Sequence, residues 1–396
     1  MIPCWRESAG GTNKKNRMKK IFSILAAAAI MVGCGGGAAK QESALNLMKA
    51  EDFTATVDGK PVSLYTLTNG TITMQVTNFG GRVVSLWTPD RDGKMEDIVL
   101  GYDKLERYVN NTGERFLGAP VGRVGNRIDE GKFTLDGVDY QVPQNSNGHA
   151  LHGGNKGIDM VVWDVEHVSD NAITLHLVSP DGADGFPGNL DILMTYTLTP
   201  ENEFEVTYHA KTDKKTIVNL SHHSFFNLKG EGNGPITDHV LTINADHITP
   251  TDAELIPTGE LMAVEGTPFD FRQPHAIGER IGEKHEQLIN GGGYDQNWVF
   301  AREDNGQVMT LASVYEPSTG RCMDIATDQV AMQFYSGNFF DGTYNGKYGK
   351  PIKYRESLAL ETQKHPDAIN HEGFPSIVLN PDEVYTHVCI YKFYTK

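Results

Sequence analysis

The sequence contains little cysteine. Its four cysteines are Cys4, Cys34, Cys322 and Cys389, and no two of them have the CxxC spacing typical of zinc or redox sites. Cys322 and Cys389 lie in strand-like segments. They are either two buried thiols or, in an oxidising compartment, a disulfide pair. Cysteine spacing thus argues against a zinc site and leaves the pairing open.

Motifs that bind nucleotides are also missing. The chain has no P-loop, and it has no dinucleotide-binding fingerprint placed between a strand and a helix. The two commonest sequence signatures of a bound nucleotide are therefore excluded.

Basic residues are in the minority. The chain has 35 Lys and Arg against 51 Asp and Glu, which gives a formal net charge of -16. Residues 1–33 hold six bases and one acid, so the remainder carries -21. Such a surface disfavours nucleic acid and anionic membranes as partners, and it weakly disfavours phosphorylated substrates.

The apolar run near the N-terminus is too short to span a membrane comfortably. Ile21–Val32 has twelve residues and follows Lys19 and Lys20, an arrangement typical of a signal peptide. The run leads into Met-Val-Gly-Cys34, which is similar to a bacterial lipoprotein signal with Cys34 as the lipidated residue. Met18 is the more natural start of such a signal.

This interpretation predicts the N-terminal organisation and the location of the protein. Residues 1–33 form the signal peptide, and residues 34–50, rich in Gly and Ala, form a flexible tether. The protein is expected to be periplasmic or anchored to the outer membrane of a Gram-negative bacterium. It would touch the membrane only through the lipid on Cys34.

Alternating apolar and polar residues dominate from about residue 51 onwards. Ile72, Met74 and Val76 alternate with polar residues, and Asp136-Gly137 separates two alternating runs as in a β-hairpin. Few segments have the 3.6-residue period of a helix, and no linker or internal repeat is visible. The pattern predicts an all-β fold in which residues 51–396 form one large antiparallel β-sandwich domain.

Thr216–Leu228 (TIVNLSHHSFFNL) places two adjacent histidines after a β-branched run. Read as one strand, it puts His222 on an apolar face with Leu220, and His223 on a polar face with Ser221. A lone histidine in a strand is usually a packing residue. The density of polar groups on the second face favours a functional site containing His223.

Five further stretches carry residues suited to chemistry, although each also has an ordinary explanation. Arg127 could form a surface ion pair, Asp295 could end a solvated loop, and Glu361 could be an exposed strand carboxylate. The stretches are Gly122–Ile128 (GRVGNRI), Leu151–Gly154 (LHGG), Gly291–Asn297 (GGGYDQN), Gln333–Phe339 (QFYSGNF) and Ala359–Gln363 (ALETQ).

Taken together, these motifs resemble the aldose 1-epimerase (galactose mutarotase) family. The family patterns NRI, LHGG, NLTNHSYFNL, GYD, QFYTGN and LETQ all have counterparts here in the same order, from about residue 53 to the C-terminus. The resemblance implies a galactose mutarotase-like supersandwich with a sugar bound in an open cleft on one sheet.

The resemblance also implies roles for individual residues. Glu361 matches the general base and His223 the general acid. His222 stands where the family often has Asn, and Phe225 replaces a Tyr and so lacks its hydroxyl. The sugar-binding residues implied by the matching motifs are Arg127, His152, Asp295, Asn126 and Gln333.

The implied reaction interconverts the α and β anomers of free aldohexoses such as glucose and galactose. One group must accept the proton of the C1 hydroxyl while another donates a proton to the ring oxygen, and a carboxylate with an imidazole suits both tasks. The expected partner is a free monosaccharide and the expected state is a monomer. No metal or other cofactor is required, although the acidic turn Asp181–Gly185 could bind Ca²⁺.

Three other functions remain open at this point. A hexose 6-phosphate 1-epimerase would need a basic pocket, for which Arg123, Arg127 and Arg272 are candidates. A glycoside hydrolase or lyase would use two carboxylates roughly 5–10 Å apart, such as Asp295 and Glu361. A non-catalytic sugar-binding lipoprotein would need no matched acid and base. The preferred aldose is not decided by the sequence.

Overall fold

The computed structural model describes residues 45–396, and almost all of its regular structure is strand. The predicted signal peptide, Cys34 and most of the predicted tether lie outside the described residues. Helices in the described part are short: α1 (Leu105–Val109), α2 (Ile277–Arg280) and α3 (Glu286–Gly291), with 3₁₀ turns at Ala50–Phe53, Asp129–Gly131, Ala183–Gly185 and Ala368–Asn370. None of these helices is long and apolar enough to cross a membrane.

The strands of the first half are β1 (Ala55–Val57), β2 (Lys60–Val62), β3 (Leu64–Thr68), β4 (Thr73–Thr77), β5 (Arg82–Pro89), β6 (Met95–Asp97), β7 (Ala119–Val121), β8 (Arg127–Ile128), β9 (Lys132–Leu135), β10 (Val138–Gln141), β11 (Ala150–Leu151), β12 (Asp164–Val168), β13 (Ala172–Ser179), β14 (Leu190–Leu198) and β15 (Glu203–Thr212). Those of the second half are β16 (Thr216–Ile217), β17 (Ser221–His223), β18 (Phe225–Phe226), β19 (Val240–Ile243), β20 (Ala245–Thr249), β21 (Met262–Ala263), β22 (His275–Ala276), β23 (Asp295–Phe300), β24 (Met309–Tyr315), β25 (Arg321–Thr327), β26 (Ala331–Tyr335), β27 (Asp341–Asn345), β28 (Pro351–Lys353), β29 (Leu358–Gln363), β30 (Val378–Leu379) and β31 (Tyr385–Thr395).

Two large antiparallel sheets organise these strands. The first has nine strands in the order β12-β13-β14-β15-β31-β25-β24-β19-β22, and the second has six in the order β18-β29-β26-β23-β20-β21. A four-stranded sheet, β3-β4-β5-β6, and several two-stranded ribbons complete the fold. The predicted all-β, antiparallel sandwich is confirmed.

The main core joins the two large sheets. Ile192 and Tyr391 of the nine-stranded sheet and Trp298, Phe334 and Leu360 of the six-stranded sheet belong to one cluster of buried side chains. Alternate residues of β29, β26 and β23 therefore face this core, and the residues between them face away from it. The outward face of the six-stranded sheet is thus free to form a site.

The local predictions had two different outcomes. The Asp136-Gly137 hairpin is confirmed, since β9 and β10 pair across it and both residues have positive φ. The prediction that Thr216–Leu228 is a single strand is wrong. It is divided into β16, β17 and β18, which pair with three different strands, β30, β7 and β29. The chain passes from one sheet to another here, so the alternation of side chains between two faces holds only within each short strand.

The disulfide alternative for Cys322 and Cys389 is wrong. Both cysteines are free and buried. They lie on the paired strands β25 and β31, but Cys322 stands opposite Tyr394 while Cys389 stands opposite Thr327. Five residue steps along the strands separate them, roughly 16 Å at the usual rise, which is far beyond disulfide reach.

The folded domain begins before residue 51, which is where the sequence predicted its start. The backbone N–H of Met48 donates to Gln75 Oε1 at 2.8 Å, and Gln75 Nε2 donates back to the Met48 carbonyl at 2.9 Å. The Met48 side chain also packs against a group of buried residues. The last residues of the predicted tether are therefore part of the folded unit.

Candidate active site

An open cleft of about 520 Å³ lies on the outward face of the six-stranded sheet. Its walls combine titratable, amide and aromatic side chains. The lining residues are Glu114, Phe116, Asn126, Arg127, Leu151, His152, His223, Phe225, Asp295, Tyr335, Phe339 and Glu361.

Glu361 lies at the centre of the cleft floor. Its strand β29 runs between β18 and β26. Leu358 and Leu360 face the core, so Glu361 lies on the opposite face of the strand with Ala359 and faces the cleft. The carboxyl group is buried, and Oε2 has no hydrogen-bond partner. Burial raises the pKa of Glu361 well above its usual value, the charge of Asp295 raises it further, and Arg127 opposes both effects.

His223 contacts Glu361 directly. Strand β17 pairs with β7 and lies beside β29, which brings His223 Nε2 to 3.3 Å from Glu361 Oε1. His223 Nδ1 has no hydrogen-bond partner. Burial lowers the pKa of His223 to about 4 because the charged ring loses its hydration.

The opposite pKa shifts of Glu361 and His223 have a chemical consequence. Burial raises the pKa of the Glu361 carboxyl group and lowers that of the His223 imidazole, so burial favours the uncharged form of each group. A reversible reaction that needs one donor and one acceptor is served by this arrangement.

His152 follows β11 and extends the site. Its Nδ1 accepts a hydrogen bond from the backbone N–H of Asn126 at 3.1 Å, so in the neutral ring Nε2 carries the hydrogen. The ring packs 4.6 Å from Phe116 and meets His223 edge-on at 5.1 Å between centroids. Burial lowers the pKa of His152 well below its usual value, and the nearby His223 and Arg127 lower it further.

The cleft also brings together three groups of the kind that bind metals. His152, His223 and Glu361 offer ligand atoms within 4.8 Å of one another, the one such cluster found among residues 45–396. However, the Asn126 N–H occupies Nδ1 of His152 and keeps the proton on Nε2. A ring in that tautomer donates a hydrogen bond rather than a metal-ligand lone pair, so the donor set suits a hydroxyl better than a metal.

Asp295 begins strand β23 and is buried at the cleft wall. Gln333 Nε2 on the neighbouring β26 donates to Asp295 Oδ1 at 2.8 Å and thereby orients the carboxylate. Gln333 itself is 3% exposed and stands directly opposite Glu361 in the sheet, and its Oε1 has no hydrogen-bond partner. The assignment of Gln333 to the sugar stays a prediction.

Asn126, the last residue before β8, and Arg127, the first residue of β8, both line the cleft. Asn126 has a φ of 57°, a conformation that Asn tolerates better than most residues, and its Oδ1 accepts from Arg127 Nη1 at 3.4 Å. The Arg127 charge lowers the pKa values of both Asp295 and Glu361. Arg127 thus acts on the carboxylates of the cleft and not as a surface ion pair.

His222 has a different environment from that of His223. Its Nε2 lies 2.7 Å from Ser224 Oγ and its Nδ1 3.3 Å from the Tyr196 hydroxyl. The ring is buried, and it meets Phe204 edge-on. This is a hydrogen-bonded core histidine, which agrees with the face that alternation predicted for it.

Sequence reasoning missed one charged group of the cleft. Glu114 lines the cleft, and its Oε1 accepts from the Phe116 backbone N–H at 2.9 Å. Its charge raises the pKa values of Glu361 and Tyr335. Glu114 lies in none of the recognised motifs, so no sequence signal pointed to it.

The cleft also contains aromatic walls that sequence reasoning left without a role. Phe116, Tyr335 and Phe339 line it together with Phe225. Tyr335 and Phe339 lie inside the QFYSGNF motif, which could have indicated them.

Two of the three arginines that a hexose 6-phosphate 1-epimerase could use to bind phosphate make other contacts. Arg123, a candidate phosphate ligand, donates to the carbonyls of Ser179, Pro180 and Pro187. Arg272, the other remote candidate, is paired with Asp270 at 2.8 Å. Of the three candidates, only Arg127 lines the cleft.

The acidic turn considered for Ca²⁺ is similarly engaged. Asp181 Oδ1 accepts from the Gly188 N–H, and the Asp184 carboxylate accepts from the N–H groups of Lys156 and Gly157. These hydrogen bonds hold the turn in place and link it to the segment that contains Lys156 and Gly157.

Comparison with known proteins agrees with the geometry. Residues 63–392 match the family model described as aldose 1-epimerase. The chain is 41% identical over 335 residues to the galactose mutarotase of Rattus norvegicus, covering 85% of this chain and 95% of that protein. It is 34% identical over 340 residues to the aldose 1-epimerase of Escherichia coli K12, covering 85% and 96%.

Solved structures give the same result. The aldose epimerase homologue from C. elegans superposes with a TM-score of 0.77 at 27% identity, covering 84% of this chain and 99% of that one. The galactose 1-epimerase from Lactobacillus acidophilus gives 0.75 at 28% identity, covering 87% and 97%. Fold and cleft together define a β-sandwich isomerase. The chain belongs to the aldose 1-epimerase family.

Proposed function

We propose that the protein interconverts the α and β anomers of free aldohexoses, glucose and galactose among them, by acid–base opening and closing of the sugar ring. The observation that carries this proposal is the 3.3 Å approach of His223 Nε2 to Glu361 Oε1 inside an open cleft lined by polar and aromatic side chains. Membership of the family supports the same reaction.

In the proposed mechanism Glu361 accepts the proton of the C1 hydroxyl while His223 donates a proton to the ring oxygen. The C1–O5 bond breaks and leaves an aldehyde at C1 and a hydroxyl at C5. After rotation about C1–C2, Glu361 returns its proton to the C1 oxygen, His223 recovers its own from the C5 hydroxyl, and the ring closes. Each positioned proton transfer typically contributes about 10²–10⁴-fold in rate.

The remaining polar groups position the sugar. Arg127 and Asp295 can form charge-assisted hydrogen bonds to hydroxyls, and His152 can donate from Nε2. Asn126 and Gln333 also act through their neighbours, since the Asn126 N–H fixes the His152 tautomer and Gln333 orients Asp295. No metal enters this mechanism, so turnover is expected to be the same with EDTA or with added Ca²⁺.

Polarimetry of freshly dissolved α-glucose and α-galactose tests the proposal. Glu361→Gln and His223→Asn should each lower kcat by about 10²-fold or more while circular dichroism stays native. His222→Asn is the matched control, since it should lower the free energy of unfolding through lost core contacts but keep kcat within a few-fold. Near-normal kcat in His223→Asn would overturn the assignment.

An aryl glycoside assay separates anomerisation from glycoside hydrolysis. Asp295 and Glu361 are the two carboxylates that a hydrolase would use. However, Gln333 donates a hydrogen bond to Asp295 and orients its carboxylate to bind a sugar hydroxyl. We expect no release of aryl alcohol. Measurable release that Asp295→Asn abolishes would favour the hydrolase.

We also propose that the protein is exported and anchored through a lipid on Cys34, and that it is a monomer. The basic Lys19-Lys20 pair, the apolar run Ile21–Val32 and the following Gly-Cys support the anchor. Fractionation of cells expressing Cys34→Ala should move the protein from membrane to soluble fractions. Unchanged membrane association would contradict the anchor, and light scattering of the purified protein would test the monomer.

A further inference from the structure

A buried hydrogen bond crosses the six-stranded sheet beside the cleft. Gln363 Nε2 on β29 donates to Asn297 Oδ1 on β23 at 3.1 Å. The two strands are not neighbours, because β26 lies between them. Strands in a sheet are about 4.8 Å apart, so this bond joins side chains whose strands are roughly 10 Å apart. We call Gln363 and Asn297 the amide clamp.

The strand in the middle leaves room for the amide clamp. Ala331 of β26 stands directly opposite both Gln363 on β29 and Val299 on β23. Because the side chain of Ala331 is only a methyl group, the Gln363 side chain can cross β26 at this point. The clamp thus depends on a small residue in the strand that it crosses.

Each member of the amide clamp is two residues from a carboxylate of the cleft. Gln363 follows Glu361 on β29. Asn297 follows Asp295 on β23. Residues two apart in a strand share a face, so the clamp and both carboxylates lie on the outward face of the sheet. The clamp therefore connects the two strands that carry Glu361 and Asp295.

Glu361 has little else to hold it in position. Within residues 45–396 its carboxylate has one polar contact, the His223 ring at 3.3 Å, and its Oε2 has no hydrogen-bond partner. Asp295, in contrast, is oriented by Gln333. The position of Glu361 relative to Asp295 is therefore determined by the spacing of their strands, which the clamp spans.

The amide clamp is poorly suited to a purely structural role. Gln363 is 0% exposed and Asn297 1% exposed, and in the described part of the chain Gln363 Oε1 and Asn297 Nδ2 have no hydrogen-bond partner. A buried polar atom without a partner destabilises a fold, and two apolar side chains of similar shape would pack here at lower cost. A pair that lowers stability in this way points to a functional reason for its presence.

We propose that Gln363 and Asn297 are positioning residues for the anomerisation. The amide clamp holds the base Glu361 and the sugar-binding Asp295 at the separation that the sugar requires. A ring bound by Asp295 then presents its C1 hydroxyl to Glu361 in a reacting geometry. Neither clamp residue is among those that line the cleft, so the clamp acts through the two strands. This proposal rests on the proposed function, because it needs Glu361 to be the base.

A double variant separates positioning from stability. Gln363→Met/Asn297→Leu replaces both amides by apolar side chains of similar volume and leaves neither of them with an unpaired polar atom. It should unfold at the wild-type temperature or above. In polarimetry with glucose and galactose, kcat/KM should nevertheless fall about tenfold or more, mainly through kcat, because a small misplacement of the reacting groups slows the reaction strongly.

The single variants complete a cycle with the double variant. Gln363→Met and Asn297→Leu each leave the other amide unpaired, so each should lower the unfolding temperature as well as kcat. A structural role predicts instead that activity follows stability, with a loss in the single variants and a recovery in the double one. That pattern would overturn the proposal, and so would a normal kcat in Gln363→Met, whether or not the double variant folds.

Gln75→Met is the matched control, since Gln75 is also a buried amide in a sheet but bonds to Met48 on the four-stranded sheet side of the protein. It should lower the unfolding temperature and leave kcat/KM unchanged. Calorimetric titration with galactose measures binding without turnover and should give a Kd within a few-fold of wild type for the double variant. An inactive wild-type protein would contradict the proposed function, whereas a wild-type kcat in the folded double variant would contradict the clamp alone.

Discussion

Single residues in the cleft influence one another through their charges. Glu361 shares the cleft with Asp295 and Glu114, and both carboxylates raise its pKa. Arg127 is the cation that lowers it. The pH range in which Glu361 is an ionised base is therefore set by its neighbours as well as by its own burial.

Glu114→Gln should shift the pH profile of activity. Removing one negative charge lowers the pKa of Glu361, so the base stays ionised at lower pH and the acidic limb of kcat/KM moves to lower pH. Polarimetric rates between pH 4 and 8 measure the shift. Glu106→Gln, an exposed carboxylate on α1, is the control and should leave the profile unchanged. An acidic limb that moved upwards would contradict the sign of this coupling.

For single residues, the sequence predicted orientation as well as identity. Alternation placed His223 and His222 on opposite faces, and the structure puts one in the cleft and the other in the core. It could not predict Glu114, since that residue stands in an irregular loop with no periodic pattern. The motif that contains Gln333 placed it at the site, and the structure puts it opposite Glu361 on the same face of the sheet.

At the scale of structural elements, the loop after β11 depends on one glycine. Gly153 has a φ of 91°, and a Cβ added there would lie 1.8 Å from the Gly122 carbonyl oxygen. The two loops that carry His152 and Arg123 are thus in direct backbone contact. Only glycine permits this approach.

Gly153→Ala should therefore destabilise the protein and displace His152. The expected loss is roughly 3 kcal/mol or more, combining the left-handed backbone with the steric conflict. Gly137→Ala is the matched control, because Gly137 has a φ of 77° and nothing within 4 Å of an added Cβ. It should cost about 1–2 kcal/mol and leave activity unchanged. Urea denaturation and polarimetry provide both readings, and equal losses for the two variants would refute the role of close contact.

Element boundaries were the least predictable part of the fold. Hairpins such as β9–β10 carry their turn residues in the sequence, so they were found directly. Thr216–Leu228 alternates as one strand but is shared among three sheets, because the partner strands β30, β7 and β29 come from distant parts of the chain. Local pattern gives the faces of a strand, whereas tertiary pairing decides where it is interrupted.

For the molecule as a whole, stability depends on buried charge as well as on the apolar core. The Lys347 ammonium lies between Asp97 and Glu231 at 3.1 and 2.8 Å, and all three groups are almost completely buried. Burial of this group joins the β27–β28 hairpin to the four-stranded sheet that contains Asp97. Removing one partner of such a network leaves uncompensated charge in the interior.

Lys347→Met should lower the free energy of unfolding by about 3–5 kcal/mol, because the carboxylates of Asp97 and Glu231 lose their cation. Thermal and urea denaturation measure the loss. Lys350→Met is the control, since Lys350 is exposed and contacts Asn233, and it should cost less than about 1 kcal/mol. A change in Lys347→Met no larger than that of the control would rule out the network as a source of stability.

The sandwich class was predictable from the alternating strands over the whole chain. The cleft was not predictable from strand patterns alone, since His152, His223, Asp295 and Glu361 are far apart in sequence. Only the resemblance of their motifs to those of one family, in the same order along the chain, assigned these residues to one site.

Cys322 and Cys389, the two free thiols among residues 45–396, can report local opening of the sandwich. Cys322 and Cys389 are buried on adjacent strands of the nine-stranded sheet, so alkylating reagents reach them only after that sheet opens. Mass spectrometry of the labelled peptides would give a separate opening rate for each strand. Equal rates would mean that the sheet opens as one cooperative unit, and unequal rates would show which strand detaches first.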